Sequence, residues 1–163
     1  VIDNVKQSWQ NKVMPLSPTG PDLSFLDDPP SENEELASAW ATAIGDYASG
    51  IVSAPEVVPG TAEAATAALE ESLIVTLPLG LTATAAGVFD APMIAFGVLI
   101  AAGMAPAFIG VPPALPFSTT VFPPGTLYPD TESAKSGIGA LIYAWFTAGT
   151  ATSVAGVGPT PWS

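Results

Sequence analysis

The chain of 163 residues contains no histidine, no cysteine and no arginine, and its only cations are three lysines. Without thiolates and imidazoles, the usual ligand sets of a zinc site cannot be assembled. The same absences exclude a cysteine nucleophile, a disulfide framework and a histidine base that titrates near neutral pH. They also disfavour nucleic-acid binding, because a protein that follows a phosphate backbone needs clustered cations.

Charge of any kind is scarce, and nearly all of it is negative. Fifteen Asp and Glu give a net charge of −12, yet charged residues make up only 11% of the chain, against about 25% in typical soluble proteins. Such a surface is easier to explain if neighbouring molecules cover much of it. The acidity further predicts a partner surface with compensating Lys and Arg.

No charged residue occurs from position 91 to position 129, which raises the question of a membrane span. Residues 91–109 are apolar and just long enough to cross a bilayer. Pro92 and Pro106 leave only about 13 residues of uninterrupted helix, and no Lys or Arg flanks either end. A membrane span is therefore disfavoured, although residues 91–109 could be buried in protein or in lipid. The polar first 15 residues predict no signal peptide.

Apolar periodicity predicts five helices, so we expect a mainly α fold with little or no sheet. The first predicted helix covers residues 3–13. The second begins at a capping box of Ser31 and Glu34. Its apolar stripe comprises Leu36, Trp40, Ile44, Tyr47 and Ile51.

The third predicted helix covers residues 61–77 and ends at a proline. The fourth has Asp90 as its N-cap and is apolar on every side, so it should be central or covered by a partner. The fifth covers residues 131–147, with Asp130 as its N-cap.

Proline-rich segments separate these helices. Residues 15–30 are predicted to form an extended arm. Residues 110–129 are predicted to form a second arm in polyproline-like extension, with a short strand near 118–122. The resulting division is 1–30 for the first helix and arm, 31–109 for a helical domain, 110–129 for the second arm, 130–149 for the C-terminal helix and 150–163 for a Gly/Pro-rich tail.

The residues give no catalytic, metal or cofactor site. The acid pairs Glu34–Glu35 and Glu70–Glu71 are explained by helix ends and solvation, and no calcium-loop spacing occurs. A Ser or Thr nucleophile needs a base, and none of the three lysines has the SxxK spacing; in Lys135–Ser136 the Lys comes before the Ser. We therefore expect a protein that is not an enzyme and binds no cofactor.

Three segments carry a resemblance to a known group of proteins. They are AAGMAPAFIGVPPALPF (101–117), SGIGALIYAWFTAGTATSVAGVGPTPWS (136–163) and, more weakly, ELASAWATAIGDYASGI (35–51). Together they resemble small virion structural proteins of tailed bacteriophages, over roughly residues 34–163. The resemblance implies a non-enzymatic role in a contractile-tailed particle and provides no catalytic residues to transfer.

We therefore expect localisation in a virion, as a structural component of the tail or baseplate that contacts other virion proteins and copies of itself. Capsid decoration or the neck is an alternative position, and a small membrane-inserted, holin-like protein is an alternative class. Proline-rich arms suit assembly, because proline has already removed much of their conformational freedom. The predicted partner contacts are Phe117, Phe122, Leu127, Tyr128, Trp145, Phe146 and Trp162.

Overall fold

The computed structural model describes residues 16–51, 60–81, 85–156 and 158–162. Within them the fold is mainly α, as predicted. The helices are α1 (Asn33–Ala48), α2 (Thr61–Thr76), α3 (Ala85–Ala102), α4 (Phe117–Val121) and α5 (Thr131–Thr147), with two 3-10 helices at Ser24–Asp27 and Leu77–Leu81. The strands are β1 (Phe108–Val111), β2 (Thr150–Ser153) and β3 (Thr160–Pro161). The predicted first helix, residues 3–13, lies outside the described residues.

The α1 helix buries the predicted apolar stripe. Trp40, Ile44 and Tyr47 are buried, Leu36 is partly buried against them, and Ile51, which lies just after the end of α1, is buried as well. The capping box is wrong, because α1 begins at Asn33 and its N-cap residue, Glu32, makes no side-chain cap hydrogen bond. Acids in the first turn still suit the positive end of the helix dipole.

The α3 helix begins earlier than its sequence predicts. It starts at Ala85 and continues through Pro92, so the prediction that Asp90 caps it is wrong. A proline inside a helix removes one backbone donor, and the surrounding packing can offset that cost. Asp90 instead makes a tertiary contact, which is described below.

A small antiparallel sheet closes one side of the fold, with strand order β1–β2–β3. Phe108 pairs with Ser153 and Val111 with Thr150, while Ala151 pairs with Thr160. The expectation of little or no sheet thus needs this correction. The strand predicted near residues 118–122 is wrong, because this segment forms the short helix α4.

The described part of the N-terminal arm packs on the chain's own helices. Leu16 and Leu23 are buried, and the Tyr47 hydroxyl donates a hydrogen bond to the Ser17 carbonyl at 2.6 Å. Gly20 has a φ of +82° and lies so close to the Gly139 backbone of α5 that a Cβ on either residue would collide with the other segment. Glycine at both positions therefore permits this crossing.

One hydrophobic core joins the helices to the arm and the tail. Its centre is a chain of aromatic rings in edge-to-face or tilted contact, with centroids 5.1–6.5 Å apart, a geometry that favours aromatic pairs. The rings belong to Phe25, Trp40, Tyr47, Phe89, Phe96, Phe117, Phe122, Trp145, Phe146 and Trp162.

Candidate interaction surface

The outward side of α3 is an uninterrupted apolar surface, which we call the α3 face. Its largest side chains are 58% exposed at Ile94, 51% at Val98 and 39% at Leu99. The other residues of the face are small and also exposed, namely Gly87, Ala91, Ala95 and Ala102. Because a helix repeats every 3.6 residues, these positions share one side while Phe89, Met93, Phe96 and Ile100 fill the core.

Two neighbouring elements border the α3 face. On one flank, Val75 of α2 is 70% exposed and lines a shallow groove with Glu71, Ala91 and Pro92. On the other flank β1 lies directly on α3, since a Cβ at Gly110 would be only 2.6 Å from the Ala101 carbonyl oxygen. Its alternate residues Ile109 and Val111 point outward, with 62% and 51% exposure. The apolar surface therefore extends beyond a single helix.

A side-chain clamp fixes α3 against α4. Ser118 donates its backbone N–H and its hydroxyl to the two carboxylate oxygens of Asp90, at 2.7 and 2.9 Å. Ser118 is only 4% exposed, and leaving a buried donor without its acceptor costs about 1–3 kcal/mol. The clamp holds the inner side of α3 in place and leaves the α3 face outward.

Four of the seven predicted partner contacts are instead part of the chain's own core. Phe117, Trp145, Phe146 and Trp162 are each no more than 1% exposed. In this conformation they pack inside the chain itself, and their role as partner contacts stays a prediction. Hydrophobicity alone could not distinguish burial in the chain's own core from burial in an interface.

The other three predicted contacts lie nearer the surface. Phe122 and Tyr128 are partly buried against the core. Leu127 is 91% exposed in the loop after α4, so its role as a partner contact stays a prediction. None of these three residues belongs to the α3 face. The contacts predicted from the sequence did not include any residue of that face. Two features of the sequence could have indicated the α3 face: the uncharged run that begins at residue 91, and the helical spacing of Ala91, Ala95 and Val98.

Trp162 anchors the C-terminal tail. Its indole N–H donates to the Thr150 carbonyl at 3.0 Å, and its backbone N–H donates to the Gly149 carbonyl at 2.9 Å. The ring covers Gly149 so closely that a Cβ there would lie 2.6 Å from it. The tail thus folds back onto the end of α5 instead of extending outward.

Three acidic residues line a groove on α1, apart from the α3 face. An open groove of about 660 Å³ runs between residues 20–25 and α1, and the carboxylates of Asp22, Glu35 and Asp46 line it together with Phe25 and Tyr47. The backbone N–H of Ser24 donates to Asp22 at 2.9 Å, which lowers the pKa of that carboxyl. Burial raises the pKa of the Tyr47 phenol, which therefore stays protonated.

The described residues carry almost no free positive charge. Only Asp3 and Glu56 of the 15 acids fall outside them, whereas Lys135 is the sole lysine inside. Lys135 pairs with Asp27 at 2.8 Å and with Glu132, and both partners raise its pKa. An approaching molecule therefore meets carboxylates or an uncharged surface.

Within the described ranges, no group of three or more Asp or Glu side chains is arranged to hold a metal ion. One described helix, Ala85–Ala102, is long and apolar enough to cross a membrane, and 44% of it is buried inside the fold. No protein-family model matches the sequence. No curated protein and no solved structure is significantly similar to it.

Proposed function

We propose that this protein is a non-enzymatic structural component of a bacteriophage virion, in the tail or baseplate of a contractile-tailed particle. The observation that carries the proposal is the α3 face, an apolar helix surface with no charged residue. The virion is suggested by the resemblance of residues 34–163 to small phage structural proteins. The two arguments are independent, since the resemblance did not depend on which side of the helix is exposed.

The energetics of the α3 face favour contacts within an assembly. Fully burying a Val, Leu or Ile side chain contributes about 1.5–3 kcal/mol, and the three large residues of the face are about half exposed. Covering them would add only ~3 kcal/mol, which is little for an isolated complex that must offset the entropy of association. In a particle, neighbouring subunits reinforce the same contact through effective concentration.

A second contact would use the acidic groove. Asp22, Glu35 and Asp46 line it, and Lys135, the one lysine among the described residues, is already paired with Asp27 and Glu132. A neighbouring virion protein with Lys or Arg on its contact surface would be complementary. Its binding should weaken as salt is raised, because exposed charges are screened within about 10 Å at 0.1 M ionic strength.

The test is quantitative mass spectrometry of purified, detergent-free phage particles. We expect the protein in stoichiometric amounts, in multiples of three or six copies if it belongs to the tail or baseplate. Hundreds of copies would place it on the capsid as a decoration protein, and a single ring of copies near the portal would indicate the neck. Absence from particles would refute the proposal.

A membrane-inserted, holin-like protein is the second candidate, favoured by the length and apolarity of Ala85–Ala102. It requires the α3 face to contact lipid. Fractionation of infected cells distinguishes the two proposals, because a holin would remain with membranes after an alkaline wash and be absent from particles. The partial burial of α3 in its own fold and the hydrogen bonds that hold Asp90 of this helix to Ser118 favour the virion.

A further inference from the structure

The α3 face has a relief made of two parallel rows. One row has large side chains, Ile94 and Val98, at a spacing of four residues. The adjacent row has small ones, Gly87, Ala91 and Ala95, at the same spacing, and it ends in Leu99, which lies beside the Ala102 that ends the first row. In helix packing, rows at i and i+4 form ridges, and the commonest arrangement places such ridges of both helices in each other's grooves at about −50°.

We propose that the α3 face binds the α3 face of a second copy of this chain about a two-fold axis parallel to the rows. Rotation about that axis places the large row of each copy on the small row of the other. Ile94 and Val98 of one copy then lie over Ala91 and Ala95 of its partner, and the reverse holds at the same time. The inference rests on the proposed function in one respect, that the α3 face is an assembly contact.

Self-complementarity is the argument for a second copy as the occupant. An isologous interface must pair a surface with itself, so each projection needs a recess on the same patch. The α3 face satisfies this requirement, since each large residue lies beside a small residue of the other row: Ile94 beside Ala91, Val98 beside Ala95 and Leu99 beside Ala102. A bilayer would require no recess, because lipid chains adapt to any relief.

The absence of charge on the α3 face permits contact between copies of this acidic chain. Each chain has a net charge of −12, so two copies repel wherever acids face each other. The α3 face is uncharged, with Glu71 at its border beside Ala91 and Asp90 bound by Ser118. Like-charge repulsion is therefore low when the two α3 faces meet, and higher salt should strengthen the pair.

The interface is small. Even with Val75 and the outer residues of β1, it has far fewer than the roughly 20–30 residues per side of a stable complex. We therefore expect a weak dimer with a dissociation constant of about 100 μM or above. Sedimentation velocity on the full chain without detergent, from ~5 to ~500 μM and at two salt concentrations, measures it directly.

Two substitutions distinguish the proposed packing from non-specific association of apolar surfaces. Ala95→Glu places a charge in the interface, and Ala95→Leu fills the recess while adding apolar surface. We expect both to weaken dimerisation by tenfold or more, whereas Ala140→Glu, at an exposed alanine of α5, should leave it unchanged. Circular dichroism verifies that each variant is folded. Dimerisation unchanged or strengthened by Ala95→Leu would overturn the proposed packing.

Disulfide trapping tests the register, because the chain has no native cysteine. Ile94→Cys and Ala91→Cys variants, mixed and mildly oxidised, should form a heterodisulfide faster than either forms with Ala140→Cys. A monomer at all concentrations with no preferential cross-link would overturn the inference. If such a chain is still found in particles, the proposed function stands and the α3 face binds a different virion protein.

Discussion

Replacing Trp162 with alanine tests the finding that the tail belongs to the core. The side chain is fully buried, with its ring 6.5 Å from that of Phe146 and its indole N–H bonded to the Thr150 carbonyl. Truncation would leave a cavity under β3 and would also leave that carbonyl without its donor. A tail held only by a neighbouring subunit would lose no stability from the same change.

The expected loss can be estimated from these contacts. A buried aromatic side chain covers about 150–250 Å², which at about 25 cal/mol per Å² corresponds to roughly 4–6 kcal/mol as an upper value. Measured Trp and Phe truncations in protein cores cost about 3–5 kcal/mol. Since natural domains have total stabilities of about 5–15 kcal/mol, the variant should lose at least roughly a fifth of its stability. The melting temperature should fall by about 10 °C.

Urea unfolding followed by circular dichroism measures this loss, with Leu127→Ala as the control. Leu127 is 91% exposed, so its truncation should change stability by less than about 0.5 kcal/mol. Trp162→Phe should recover most of the packing and lose about 1 kcal/mol for the hydrogen bond. A loss below ~1 kcal/mol for Trp162→Ala would refute the placement of the tail and restore Trp162 as a contact for a neighbour.

Two further perturbations test the clamp and the helix ends. Asp90→Ala leaves the buried Ser118 N–H and hydroxyl unpaired, so it should lower the free energy of unfolding in urea by about 3 kcal/mol. Asp90→Asn keeps an acceptor and should cost less. Equal losses for the two variants would contradict the clamp. Asp130 accepts the Ser133 N–H at 2.7 Å and Asp22 accepts that of Ser24, which lowers both pKa values. A carboxyl with a depressed folded-state pKa stabilises the fold at neutral pH, and this contribution disappears as the pH falls below about 4. The urea midpoint should therefore decrease between pH 7 and pH 3, and less steeply in Asp130→Asn; identical pH profiles would count against the cap.

The features predicted correctly are those that depend on nearby residues. The α5 helix has the predicted bounds and the predicted cap, because Asp130 bonds an N–H three residues away. The stripe of α1 was equally local, and Trp40 and Ile44 are buried as its spacing requires. The capping box predicted for α1 is wrong, since the Ser31–Glu34 spacing permits the two capping hydrogen bonds but does not require the chain to form them.

The failures come from partners distant in sequence. Asp90 looked like an N-cap, but Ser118, 28 residues away, binds it, and the helix continues back to Ala85. The proline-rich segments looked like arms because proline prevents helices and ladders. No local pattern indicates that Gly20 can cross Gly139, or that Trp162 can cover Gly149. The arms are accordingly not confirmed in the described residues.

This placement of the aromatic residues changes which surface can support assembly. The core contains Phe117, Trp145 and Trp162, so in the proposed virion role substitutions there should act on incorporation into particles only through stability. The exposed aliphatic residues of α3 contribute little to the core, so substitutions there should act on assembly while the urea midpoint stays nearly constant. If the chain assembled through extended arms, Trp162→Ala would reduce incorporation without loss of stability, and substitutions in the α3 face would not affect incorporation. Comparing incorporation with stability for Trp162→Ala and Ala95→Glu therefore distinguishes a chain that assembles through its arms from one that assembles through a helix face.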